Sequence, residues 1–273
     1  MATPDSRDPM VEANRSNWDS RVPVHLESAF YDVPGFIQGR KPRLDEVERT
    51  EVGAVAGKSL LHLQCHIGLD TISWALLGAT ATGVDFSAPA LDAARDIARR
   101  MGVDVAFVQS DVRALDLGRQ FDVVFASHGV LCWIPDIGAW CRAAARHLAP
   151  GGFLYLLDGH PVTDVFDADD PDLPGLRLAP GARYGKAGPA REEWPYTYAS
   201  DQPIASPVTY QWTHSVGAIV TGLINSGLQI EFLHEFPFDV WQRFGFMRFD
   251  GTWWRVAGDP IPLMLSVKAR RGP

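Results

Sequence analysis

Two aspartates that close consecutive apolar runs carry the clearest chemical signal in this sequence. Asp85 ends the run Ala81-Thr82-Gly83-Val84-Asp85 and stands seventeen residues beyond Gly68, which lies in Gln64-Cys65-His66-Ile67-Gly68-Leu69-Asp70-Thr71. Glycine in such a strand-to-helix turn lets the backbone approach a ligand closely, and a carboxylate one strand further on accepts both hydroxyl hydrogens of a ribose. Alone, Asp85 reads as a turn cap. Asp111, after the next run Val105-Ala106-Phe107-Val108, changes the balance. An aspartate there can take an adenine amino group while the backbone N–H of Val112 meets a ring nitrogen, so one adenosine-containing cofactor explains both acids.

Histidines supply the second set of reactive groups. His128 follows the run Phe121-Asp122-Val123-Val124-Phe125, and His160 follows Phe153-Leu154-Tyr155-Leu156-Leu157, with Asp158 between them. Imidazole titrates near neutrality, so a histidine at the carboxyl end of a strand can take a proton from a reacting group. His160, and next His128, are the expected catalytic bases, each weighed against an equal reading as a satisfied structural histidine. His62-x-x-Cys65-His66 has the residue types of a metal site. It spans a strand and a sharp turn, where residues four apart share no face, and no fourth ligand is near in sequence.

These groups need a scaffold that presents strand ends. From about residue 58 to 159, short apolar runs alternate with helical patterns, the signature of βαβ units around a parallel sheet. Ser59-Leu60-Leu61-His62-Leu63 is the first strand and the four runs above are the others, apolar as strands covered on both faces are. Between the second and third, SAPALDAARDIARRMG predicts a crossover helix capped by Ser87, opened by Pro89 and stopped by Gly102. A further helix is predicted from Asp136 to Leu148, before the turn Pro150-Gly151-Gly152.

Residues 160 to about 212 break this rhythm, with Asp164, Asp167, Asp169, Asp170 and Asp172 followed by prolines and by Trp194, Tyr196, Tyr198, Tyr210 and Trp212. Disordered segments are poor in aromatics, so the expectation is an ordered cap over a pocket. A helix from His214 to Gly227 and strands at Leu228–Leu233 and Ile261–Lys268 follow. The aromatics Phe236, Phe238, Trp241, Phe244, Phe246, Phe249, Trp253 and Trp254 suit a pocket wall, a core or a contact with a second copy equally. The expected division is a helical lid over 1–50, a cofactor-binding core over 51–159, a substrate cap over 160–212 and a completion of the core sheet over 213–273.

The 273 residues carry a formal net charge of −8, and no basic stripe is visible, which argues against a nucleic-acid partner. No run of about 18 apolar residues suggests a membrane span, and the polar opening segment does not read as a secretory signal, so a cytoplasmic protein without membrane partners is expected. Cys65, Cys132 and Cys141 are too few and too irregular for a disulfide framework or a four-cysteine zinc site.

The order LLHLQCHIGLDT, GVDFS, QSDV, FDVVFASHGVLCWIPD, LAPGG over roughly residues 55 to 159 resembles class I S-adenosylmethionine-dependent methyltransferases of small molecules. The resemblance implies an α/β fold: a mostly parallel seven-stranded Rossmann-like sheet, helices on both faces, an inserted cap after the fifth strand and an antiparallel last pair of strands. It also implies S-adenosylmethionine as cofactor and S-adenosylhomocysteine as product. The turn departs from the family pattern, with His62 where an acid is usual and Gln64 and His66 where glycines are usual, as in a subgroup carrying LQCH. Gln64 and His66 are then expected to hydrogen-bond the methionine end of the cofactor. Trp18 is expected to cover it and Arg21 to fork onto its carboxylate, against an equal reading of the leading segment as a packing cover. Cys65, Phe86, Ser87 and Ser127 complete the expected cofactor contacts. Catechol-type relatives that use magnesium need acids at the end of the fourth strand, where this chain has Ala126-Ser127-His128-Gly129, so metal independence is expected.

The expected activity is methyl transfer to an oxygen or nitrogen of a small metabolite, with natural-product biosynthesis as a candidate setting and the acceptor and a second copy of the chain as candidate partners. A nicotinamide-dependent reductase is the first rival, and it lacks a full G-x-G-x-x-G turn and a Tyr-x-x-x-Lys pair. A non-catalytic protein that keeps the scaffold is the second.

Overall fold

The structure, a computed structural model, describes residues 8–167, 175–185 and 188–273. The expectations for Asp169, Asp170 and Asp172 fall outside the described residues. Three helices lead in: α1 (Pro9–Glu27), α2 (Val33–Gly39) and α3 (Glu46–Val52). Asp45 and Glu48 close a capping box on α3, each side chain accepting from the other's backbone N–H.

The core then runs β1 (Ser59–Leu63), α4 (Leu69–Leu76), β2 (Thr80–Asp85), α5 (Ala88–Met101), β3 (Ala106–Gln109), β4 (Phe121–Ser127), α6 (Ile137–Arg146) and β5 (Leu148–Gly159). Ser87 caps α5 by accepting from the Ala90 N–H, and Gly102 ends it in the left-handed conformation. Asp136 caps α6 in the same way. After a short two-stranded sheet of β6 (Ala190–Glu193) and β7 (Val208–Gln211), the chain forms α7 (Val216–Asn225) and β8 (Leu228–Phe236). A three-stranded sheet of β9 (Phe238–Asp239), β10 (Arg248–Phe249) and β11 (Trp254–Arg255) precedes β12 (Met264–Arg271).

The central sheet has the order β3-β2-β1-β4-β5-β12-β8. Its first five strands are parallel, whereas β12 is antiparallel to both β5 and β8. Side-chain alternation divides the core. Leu61, Leu63, Val124, Leu154 and Leu156 pack on one face with Trp140, while Leu60, Val123, Phe125 and Tyr155 pack on the other with Trp74. Strand order reverses between β1 and β4, so their carboxyl ends diverge and open a crevice.

The segment expected as a cap is tied to the first helix. The Tyr210 N–H donates to Asn14 Oδ1 and Asn14 Nδ2 donates to the Tyr210 carbonyl, both at 2.7 Å, so one buried amide completes the free edge of β7. Asn17 Nδ2 donates to the Ser206 carbonyl at 2.6 Å one turn on. Asn14→Ala strands two backbone groups and is expected to destabilise the protein by about 1–3 kcal/mol. Thermal unfolding checks the loss. Hydrogen exchange faster in β6 and β7 than in β1 is the expected local signature, and unchanged exchange there would show the tie to be unimportant.

Candidate active site

A cavity of about 1030 Å³ opens at the carboxyl ends of the parallel strands and reaches from Asp111 and Val112 to Trp241 and Phe244. Asp85 lies in its wall at the end of β2. The His66 and Ser87 N–H groups donate to its two oxygens at 2.8 and 2.9 Å. Burial, only partly offset by those bonds, pushes its carboxyl up to about 6. Asp111 and Val112 also line the cavity, and the Arg113 side chain grips the Asp111 carboxylate with its Nε at 3.0 and 3.1 Å and its Nη2 at 2.5 Å. Phe86 lines the cavity as well.

The turn after β1 behaves differently from what its residue types suggest. Gln64 and His66 adopt φ of 57° and 50°, the left-handed conformation that glycines usually take there. The Gln64 amide is spent inside the fold, its Nε2 donating to the Val130 carbonyl and its Oε1 accepting from Trp140 Nε1, both at 2.9 Å. It ties β1 to the loop after β4 and to α6, so its expected bond to the cofactor is not supported. The Cys65 thiol packs against Gly83, where an added Cβ would lie 2.8 Å from Sγ, and burial pushes the thiol far up. Gly68 lines the cavity at φ 75°, and an added Cβ would meet Ala94 Cβ at 2.8 Å, so packing against α5 by itself demands glycine there. The Ser87 hydroxyl is occupied by its helix cap. Ser127 lines the cavity, its side chain hydrogen-bonded to the Asp70 carboxyl.

His62 is buried, its Nδ1 at 2.8 Å from Thr71 Oγ1, while His66 turns to His25, with Nε2 and Nδ1 at 3.2 Å. Of His62-x-x-Cys65-His66, the first two therefore face Thr71 and the third turns away to His25, so the three do not converge on one point. Burial holds the His62 and His25 imidazoles down to about 3 and the His66 imidazole well below its usual value, so all three are neutral.

Trp18 and Tyr31 stand against His66, Trp133 packs on Trp18, and Tyr198, from the inserted segment, packs on His25 and is hydrogen-bonded to Tyr31 through the two hydroxyls. Arg21 lies inside this box, 8% exposed, with its guanidinium 4.7 Å from the Trp18 ring centre and 5.6 Å from that of Trp133. Its Nε donates to Asn17 Oδ1 at 2.6 Å, but its terminal nitrogens have no hydrogen-bond or ion-pair partner among the described residues. Burial lowers its pKa, yet a guanidinium stays charged at neutral pH. A buried cation with no carboxylate in ion-pair contact is costly; Glu192 acts on this one only from further away, and it borders the cavity.

His160 is not among the residues lining the cavity. Its Nδ1 accepts from the Val162 N–H at 3.1 Å, capping the 3-10 turn Pro161–Val165, and its Nε2 meets Glu235 Oε1 at 2.8 Å. Both ring nitrogens are taken, so the expectation that His160 faces the acceptor is corrected to a structural role. His160→Ala is expected to cost about 1 kcal/mol of stability and to leave turnover within a few-fold. A loss of about 100-fold in turnover at full stability would restore the catalytic assignment. Asp158 is equally occupied, accepting from the N–H groups of Gly129, Val130, Leu131 and Gly159.

His128 does face the cavity, at φ 59°. Its Nε2 lies 3.2 Å from Glu48 Oε1 and 3.5 Å from Asp45 Oδ2. Burial alone would lower its pKa, but Glu48, Asp45 and Asp70 raise it to about 10, so in this setting it is a cation and not a base. Burial and then Glu48 lift the Asp70 carboxyl to about 7. Sequence spacing gave no hint that α3 would deliver its cap residues to the end of β4. The only available sign was the pattern Asp45-x-x-Glu48, which predicts a helix start and no site. Trp241 and Phe244 wall the cavity, whereas Phe249 is exposed and Phe238 is buried against Trp253.

Residues 60–152 match the family model described as a methyltransferase domain. A ubiquinone biosynthesis O-methyltransferase of Shewanella pealeana is 32% identical over 115 residues, which are 41% of this chain and 48% of that protein. A cypemycin N-terminal methyltransferase of a Streptomyces species is 35% identical over 103 residues, 37% of this chain and 41% of that protein. The chain thus spans about half the length of the curated relatives it matches. Among solved structures, an S-adenosylmethionine-dependent methyltransferase from Mesorhizobium loti is similar with a TM-score of 0.58 at 22% identity, covering 82% of this chain and 96% of that one. A complex of DhpI with S-adenosylhomocysteine is similar with a TM-score of 0.55 at 19% identity, covering 97% and 98%. The chain carries the Rossmann-like fold of S-adenosylmethionine-dependent methyltransferases, with a methyltransferase-domain match at its core.

Proposed function

We propose that the protein transfers a methyl group from S-adenosylmethionine to an oxygen or nitrogen of a small molecule. The observation that carries this reading is the placement of Asp85 and the unpaired Arg21 cation in the wall of one cavity. Asp85 would take the ribose hydroxyls, Asp111 and the Val112 backbone the adenine, and Arg21 the methionine carboxylate, with Trp18 and Phe86 as apolar cover. S-adenosylmethionine supplies an electrophilic methyl group on a sulfonium. The task left to the chain is to hold an acceptor in line in a site that excludes water, which suits a cavity at the upper end of ligand-pocket sizes. The lid of α1 and the inserted segment, joined through Asn14 and the Tyr31–Tyr198 pair, would supply that exclusion. A natural-product acceptor is in keeping with a relative named for cypemycin.

Calorimetry with S-adenosylmethionine, S-adenosylhomocysteine and a nicotinamide dinucleotide tests the cofactor. Binding of the first two alone is expected, and binding of the dinucleotide in their place would overturn the reading. Release of S-adenosylhomocysteine with a panel of phenols, carboxylates and amines then separates an enzyme from a binding protein.

A further inference from the structure

We propose that Asp45, Glu48 and His128 form a binding site for one divalent transition-metal ion, such as zinc or manganese, at the carboxyl end of β4. Their donor atoms lie within 4.8 Å of one another. The pairs read 3.2 Å and 3.5 Å, whereas ligands at about 2.0–2.2 Å from a tetrahedral ion lie about 3.4 Å apart. Two carboxylates and one imidazole form a donor set of intermediate hardness. They leave coordination positions on the cavity side for water or an acceptor oxygen.

The second observation is independent of this spacing. Nine buried side-chain polar atoms lack a hydrogen-bond partner among the described residues, and the two carboxylate oxygens nearest His128 Nε2, Asp45 Oδ2 and Glu48 Oε1, are among them. Native folds satisfy nearly all such atoms, so two carboxylate oxygens left side by side point to a group that binds there. Glu48 is only 1% exposed, and its other oxygen is held by the Asp45 N–H, which aims Oε1 at His128. Asp70 lines the same cavity.

The site stands apart from the methyl-transfer reading, because its readout is metal binding. Full-length protein freed of metal with a chelator is titrated with Mn²⁺, followed by electron paramagnetic resonance and calorimetry, with Zn²⁺ as competitor. One equivalent displaced by Zn²⁺ is expected, together with a rise in melting temperature. Glu48→Gln and His128→Asn should each weaken binding by at least the 10- to 100-fold that loss of an outer-shell partner costs. Asparagine tolerates the left-handed backbone of position 128. If Glu48→Gln fails to fold, Asp45→Asn carries the same expectation, and the exposed Asp92→Asn should change nothing. No stoichiometric binding, or equal binding in parent and folded variants, overturns the proposal in favour of a self-contained ion pair.

Discussion

Arg21→Met is expected to weaken S-adenosylmethionine binding by about 1.5–3 kcal/mol, about 10- to 150-fold, while leaving the ligand-free protein at least as stable as the parent. The two effects have opposite signs for one reason. In the free protein the guanidinium is buried among Trp18, Trp133 and the Tyr31–Tyr198 pair, with only Asn17 as a hydrogen-bond acceptor. Contacts with ring faces offset part of the cost of burying it, the Glu192 carboxylate acts on it only from beyond ion-pair distance, and methionine fills a similar volume without charge. A cofactor carboxylate would supply the missing partner, so the cost appears on binding. Calorimetry and thermal unfolding of the same preparation read both. A variant that bound the cofactor normally but melted earlier would make Arg21 a packing residue of the lid.

Asp85→Ala is expected to lower cofactor affinity by about 1–3 kcal/mol through unpaired ribose hydroxyls, and to loosen the turn after β1, since the same carboxylate accepts from the His66 N–H. The parent protein adds a pH signature. Burial raises the Asp85 carboxyl above its unfolded value to about 6, and Asp19 from α1 adds to the rise. The Cys65 thiol also faces it and stays protonated. A raised acid binds its proton more tightly folded than unfolded. Its contribution to stability is therefore present at low pH and lost as pH rises from the unfolded value through about 6. Ribose hydroxyls donate to the ionised form, so cofactor affinity should climb over the upper part of that window and flatten above it. Affinity measured from pH 5 to 8 checks this, and Asp85→Asn should abolish the climb. A flat profile in the parent would remove Asp85 from the ribose site.

Much of the fold was legible because it rests on local rules. Strand runs, the Ser87, Asp136 and Gly102 caps and the βα rhythm depend on neighbours in sequence, and each is found close to its expected place. The strand-end acids were legible for the same reason, since a strand end in a parallel sheet faces the crevice whatever packs around it. Side-chain partners were not. Gln64 was expected at the cofactor and serves Trp140, 76 residues away; His160 was expected at the acceptor and serves Glu235, 75 residues away. Gly68 was assigned to a ligand; it lines the cavity, and packing against Ala94 on α5 gives a second reason for glycine there. Type and spacing state what a group can do. Which partner it meets is set by long-range packing, and only the tertiary structure brings Asp45 and Glu48 to His128 or leaves Arg21 without an ion-pair partner among the described residues.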